Sequence, residues 1–198
     1  QQELRALFRL RISKSRDLTR AINKLKGFLI YFGVELPGAW NHAAYISKAS
    51  LDWLSKLELN TQAGNLAQKE YLQDVLYRRE RLLMITRQLR NQVQTHYYKQ
   101  YEYLVSVPGI GPLTAIALLA EIGDFNRFKD PDQFCSFLGL MPWENSSGET
   151  FRTKGIQLRS NRYLRPLLIE ASWAALRKAP DLLLYYRKHA IKTASVLL

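Results

Sequence analysis

The sequence predicts an all-α protein: a long helical hairpin or coiled coil, joined to a compact helical domain that holds a helix-hairpin-helix motif. Three observations predict it. Apolar residues recur at three- and four-residue spacing over residues 3–32 and again from about 65 to 98, the period of amphipathic helices. A Pro-Gly-Ile-Gly bend at 108–111 separates two apolar helical runs. Pro, Asp, Asn and Gly then punctuate the rest into shorter helices. We place the boundary at 103/104, giving a basic helix and coiled-coil region over 1–103 and a second domain over 104–198.

The first helix carries Leu4, Leu7, Phe8, Ile12, Leu18, Ile22, Leu25, Leu29 and Phe32 on one stripe and ends at Gly33. Arg5, Arg9, Arg11, Lys14, Arg16, Arg20, Lys24 and Lys26 are assigned to its outer face, against only Glu3 and Asp17. A solvated face usually mixes signs, so this stripe leans toward phosphate contact. A Pro37-Gly38 loop and a short helix near 48–57, capped by Ser47 or Ser50, follow. In the second long helix Val75, Leu82, Leu89 and Val93 fall on heptad positions. Arg79 and Thr86 interrupt the seam, which packs within the chain or against a second copy. Asp130-Pro131 opens a helix through Leu138, residues 139–158 read as loop or short extended structure, and helices run from about 160 to 178 and after Pro180-Asp181.

Charge narrows the partners. Lys and Arg number 29 against 17 Asp and Glu, a formal charge of +12, which draws polyanions to the surface. With 47% hydrophobic and 12% aromatic residues the chain folds, so a folded nucleic-acid binder fits better than a basic tail. A spanning helix needs roughly 20 apolar residues; no run approaches that, and no signal-peptide core opens the chain. Membrane is therefore excluded as a partner. Cys135, the single cysteine, sits in an apolar run and reads as packing in a reducing, cytoplasmic protein. No Cys/His cluster has metal-ligand spacing.

The 104–123 hairpin is the candidate backbone grip. Gly109 and Gly111, flanking Ile110, can take positive φ and let a phosphate approach the main chain. Pro112 suits the first turn of the next helix. Thr114 lies in that turn, whose free amides and dipole form an anion site. A tight turn inside a helical bundle is the other reading. Ala115 is small where the helices would cross, with Ile116, Leu118, Leu119 and Ile122 as core.

The 139–158 loop is the candidate for chemistry. Ser147 lies within eighteen residues of Arg152, Lys154, Arg159, Arg162 and Arg165, the last two placed on one helix face. A flexible hydroxyl among guanidinium groups suits attack on a phosphodiester, since the cations hold charge developing on phosphoryl oxygens. A phosphate-binding loop without catalysis fits these residues equally. His42, His96 and His189 are remote in sequence, which gives no support to a serine-hydrolase triad.

Residues 104–165 resemble the C-terminal domain of the bridge-RNA-guided insertion-sequence transposases, a family that includes the pilin-gene inverting recombinase. Carrying the resemblance are Val107-Pro108-Gly109-Ile110-Gly111, then Ala120-Glu121-Ile122-Gly123-Asp124 with Arg127-Phe128. Phe137-Leu138-Gly139-Leu140-Met141-Pro142, the Ser147-Gly148 step and the Asn161…Leu164-Arg165 helix start complete it. Residues 3–33 and 65–103 resemble the family's basic helix and coiled coil.

The resemblance implies DNA recombination, with DNA and a guide (bridge) RNA as partners and a homo-oligomer formed through the coiled coil. It places the nucleophile at Ser147, with Ser146 the lesser choice, to form a covalent link to DNA. It also implies an N-terminal domain with four acidic residues and Mg²⁺. Nothing in this chain matches that tetrad, so no cofactor is assigned to the chain itself. Gln1 with helical pattern from Glu3 onward reads as part of a longer protein, expected to bind nucleic acid without recombining it alone. One departure touches the site: the family's Lys-x-Gly-Asn helix start is Leu158-Arg159-Ser160-Asn161 here. A non-catalytic, structure-specific DNA- or RNA-binding module remains the alternative, and a purely structural scaffold the third reading.

Overall fold

The computed structural model describes the backbone of residues 1–41, 45–144, 153–156 and 160–194, and side chains there except at 39, 142–144, 153–156 and 190–194. Nine α-helices account for most of the described residues: α1 (Gln2–Tyr31), α2 (Gly38–Asn41), α3 (Lys48–Lys56), α4 (Gln62–His96), α5 (Tyr98–Ser106), α6 (Pro112–Glu121), α7 (Pro131–Leu138), α8 (Leu164–Leu176) and α9 (Pro180–Ala194). The all-α expectation holds, with one addition. Pro142–Glu144 and Thr153–Ile156 pair as an antiparallel ribbon, inside the stretch read as loop or short extended structure. Residues 145–152 between these strands lie outside the description.

The chain divides into two compact units. One spans Ala6–Arg90 and the other combines Gln1–Arg5 with Asn91–Leu198.

In the Ala6–Arg90 unit, α1 and α4 run antiparallel, since Asp17 neighbours Arg78 while Arg11 neighbours Arg90. Ala21, Ile22, Leu25 and Leu29 of α1 form one wall of a core closed by Trp40 of α2, Ile46, Leu54 of α3 and Val75 of α4. The α4 seam is therefore satisfied within the chain at Val75. Ser47 caps α3 by accepting from the Ser50 amide at 3.0 Å. Asn65 closes the α3–α4 loop: its Oδ1 accepts from the Leu59 amide at 2.7 Å and its Nδ2 donates to the Leu59 carbonyl at 2.9 Å.

The basic stripe of α1 is not one face. Lys26 is buried, donating to the carbonyls of Trp40 and Asn41. Lys14 and Arg20 both pair with Asp17. Arg11 is half-buried, and among the described residues its Nε has no hydrogen-bond partner. A side chain with a three- or four-carbon stem can lie along apolar surface, so residue spacing alone overcounts exposed cations.

In the other unit α6 is the central element. Apart from Thr114 and Glu121 its sequence is apolar, and Ala115 through Ile122 are all buried, as an apolar helix requires. It packs against α5 and α8, and α8 against α9. Asp130 caps α7 by accepting from the Gln133 amide at 2.8 Å. Gly139 ends α7 at φ +71, its amide returning to Ser136 at 2.9 Å, the left-handed stop that favours glycine. Cys135 on α7 is half-buried.

Candidate nucleic-acid interface

The α5–α6 bend reverses the chain within a few residues: the Val107 amide bonds to Leu104 and the Ile110 amide to Val107. Gly109 takes φ +89, where an L side chain is strained. It also lies directly on α8. A Cβ at Gly109 would stand 2.8 Å from the Ala175 Cβ and closer still to the Ala171 carbonyl oxygen. Gly111 is the opposite case, with φ −86 and, among the described residues, open space around the position a Cβ would take. The expectation of positive φ therefore holds at Gly109 alone. The bare surface of Gly109 serves helix packing, and only Gly111 leaves room for an approaching group.

Gly111 holds the cap position of α6 but has no side chain to satisfy its first amides, Pro112 stands in the first turn, and the first intrahelical bond runs from the Ala115 amide to Gly111 at 2.9 Å. The amides of Leu113 and Thr114 have no preceding helical turn to bond to, and they sit at the positive end of the helix dipole. Thr114 is half-buried there. Ile110 turns away, into an apolar groove of about 670 Å³ that it shares with Pro108, Leu168, Trp173 and Tyr186.

The second part of the interface is the approach to α8. The helix begins at Leu164, later than the sequence suggests, so Arg162 lies in the preceding turn and shares no helix face with Arg165. Arg162 is exposed; it donates to the Tyr163 hydroxyl at 2.9 Å and rests 5.0 Å from that ring's centre. Arg165 is half-buried and reaches the Ser160 hydroxyl at 3.4 Å. Asn161 caps the turn, its Oδ1 accepting from the amides of Tyr163 and Leu164 at 3.0 Å each. Its Nδ2 donates at 3.1 Å to Glu121, which is 3% exposed. Sequence reasoning missed this pair. A lone carboxylate in an otherwise apolar helix was the available signal.

Ser147, Ser146, Arg152 and Arg159 lie outside the described residues. Lys154 is opposite Trp143 in the ribbon, and its side chain is outside the description. The structure thus brings together Gly109, Ile110, Gly111 and Thr114 as one bend, and sets Arg162 on the turn before α8. Among the described residues no group of three His, Cys, Asp or Glu is placed to hold a metal ion, and no described helix is long and apolar enough to cross a membrane.

Residues 101–187, from the last turns of α5 through most of α9, match the Transposase IS116/IS110/IS902 family. The match supports assigning that stretch to the insertion-sequence transposases. The relatives of the chain agree. It is 30% identical over 179 residues to a probable family 20 transposase of Pseudomonas aeruginosa, covering 89% of this chain and 52% of the relative. It is 28% identical to the transposase for insertion sequence element IS1111A of Coxiella burnetii, covering 89% of this chain and 48% of that one. The transposase for IS1328 of Yersinia enterocolitica is likewise 28% identical, over 87% and 49%. The chain spans about half the length of these relatives. The matched stretch contains both the α6 start and the turn before α8.

Proposed function

We propose that this chain is the part of a DNA transposase that grips the phosphodiester backbone and supplies a serine nucleophile for strand transfer. The observation that carries the reading is the uncapped start of α6 beside the open Gly111, inside the stretch that matches the transposase family. Amides at a helix start bind a phosphate without reading bases, and exposed Arg162 adds a cation. Arg152, Lys154 and Arg159 extend that cationic set in this reading. Ser147 then attacks the scissile phosphorus: its Oγ–P bond forms as the bridging P–O bond breaks, leaving the strand linked to the protein.

DNA is the substrate and a guide RNA the second nucleic-acid partner. Two copies meet through α4, which exposes Leu76, Tyr77, Leu83 and Met84 along its length. The Mg²⁺ implied by the family resemblance belongs with acidic residues this chain does not carry, and no step here runs through a metal.

Binding of mixed-sequence duplex is the first test. Raising salt from about 50 to 200 mM should weaken binding by orders of magnitude, and a chain with no such affinity would refute the reading. In a protein extended to the relatives' length, Ser147→Ala should abolish the covalent protein–DNA adduct while leaving binding intact. Recombination that survives this substitution would leave a non-catalytic binding module in place of the nucleophile.

A further inference from the structure

We infer that Glu121 is a positioning residue that fixes the cationic turn before α8 through Asn161. The inference rests on the nucleic-acid reading above and names what holds one of its contacts in place.

A carboxylate only accepts hydrogen bonds, whereas an amide side chain both donates and accepts. Glu121 Oε2, buried at the end of α6, accordingly selects the Nδ2 side of Asn161, at 3.1 Å. That leaves Oδ1 for the amides of Tyr163 and Leu164. Arg162 lies between Asn161 and these two residues, so the same clamp sets the place of its backbone. Leu164, fully buried, anchors the far side of the turn.

Arg5 secures Glu121 in turn. Its Nε donates to the Ala120 carbonyl and its Nη2 to the Glu121 carbonyl, both at 3.1 Å, and its Nε stands 3.9 Å from Glu121 Oε2. A cation at the last carbonyls of α6 also complements the negative end of that helix. One buried carboxylate thereby ties the first turn of α1, the last of α6 and the entry to α8. A neutral side chain of equal size at 121 loses the selection: an amide there offers Asn161 either a donor or an acceptor. Asn161 is then free to turn over, and the Arg162 turn loosens.

The test uses the 198-residue chain and a mixed-sequence DNA duplex, with affinity measured across a salt series and each variant checked as folded by far-ultraviolet circular dichroism. Glu121→Gln should lower the slope of log affinity against log salt by about 1, the signature of one lost phosphate contact. Asn161→Asp should do the same, because two carboxylates then face each other. The double variant Glu121→Gln/Asn161→Asp restores a donor opposite an acceptor and keeps a cap for α8, so its slope should return toward that of the unaltered chain.

A merely structural role would shift the melting temperature without moving the slope or producing this rescue. If Glu121→Gln does not fold, Asn161→Asp against the double variant makes the same comparison. Equal slopes in all folded variants, or no rescue in the double, would overturn the positioning role alone. An unaltered chain that shows no salt-dependent binding would overturn the nucleic-acid reading and this inference with it.

Discussion

Lys26 of α1 donates a 2.6 Å hydrogen bond to the carbonyl of Trp40 although the lysine is only 9% exposed. A second bond runs 3.2 Å to the Asn41 carbonyl, and the Trp40 ring lies 5.4 Å from the ammonium. The lysine closes the end of the short α2 helix, where cations are favoured, and it does so inside the core.

Burial lowers the Lys26 pKa below its ordinary 10.5. Between that depressed value and 10.5 the unfolded chain binds more protons than the folded one, so the Lys26 contribution to stability rises with pH in this window. Lys26→Met leaves two carbonyls without their donor and should cost about 1–3 kcal/mol at neutral pH. Urea unfolding at pH 8 and pH 10 should also show the variant without the rise attributable to Lys26.

The two glycines of the hairpin should respond oppositely to alanine. Gly109→Ala meets strained φ and the α8 backbone together, and should destabilise by about 2–4 kcal/mol. Gly111→Ala enters open space at an ordinary φ and should stay within about 0.5 kcal/mol. Chemical denaturation of the two variants side by side is the measurement. Equal losses would mean that the bend does not pack on α8.

Arg11 is the cation whose removal should separate stability from binding. Burial and the nearby Arg90 both lower its pKa, burial the more, and its Nε lacks a partner among the described residues. Arg11→Met keeps the apolar stem and relieves the like-charge contact, so the melting temperature should hold or rise. If Arg11 meets phosphate, DNA affinity should fall several-fold at low salt.

The exposed apolar residues of α4 predict association. Charge substitution at both Leu76 and Leu83 (Leu→Glu) should leave the helical spectrum unchanged, because both side chains are exposed. Sedimentation should show the chain shifting to monomer. An unaltered chain that is already monomeric at high concentration would remove α4 as the meeting surface.

Much of the helical frame was legible in the sequence because its signals are local. Ser47, Asp130 and the glycines at 33 and 139 mark helix ends that lie within a residue or two of expectation. The core of α6 was legible for the same reason: a run apolar almost throughout has nowhere to go but inward. What stayed hidden depends on long-range partners. Lys26 and Arg5 belong to a periodic basic stripe, yet each turns to carbonyls fourteen and more than a hundred residues away. Spacing carries no record of such contacts. The α8 start shifted from about 160 to Leu164 because Asn161 spends its side chain on the turn before the helix. At the candidate interface Gly109 and Gly111 are the same letter in the sequence, and only the packing of α8 tells them apart.

The bond between Glu121 and Asn161 closes a span of 40 sequence positions. Both ends of that excursion are pinned to one spot, so its length is uncoupled from the frame that carries it. A swap of this stretch that keeps both anchoring residues should graft new loop chemistry without re-engineering the helices beneath.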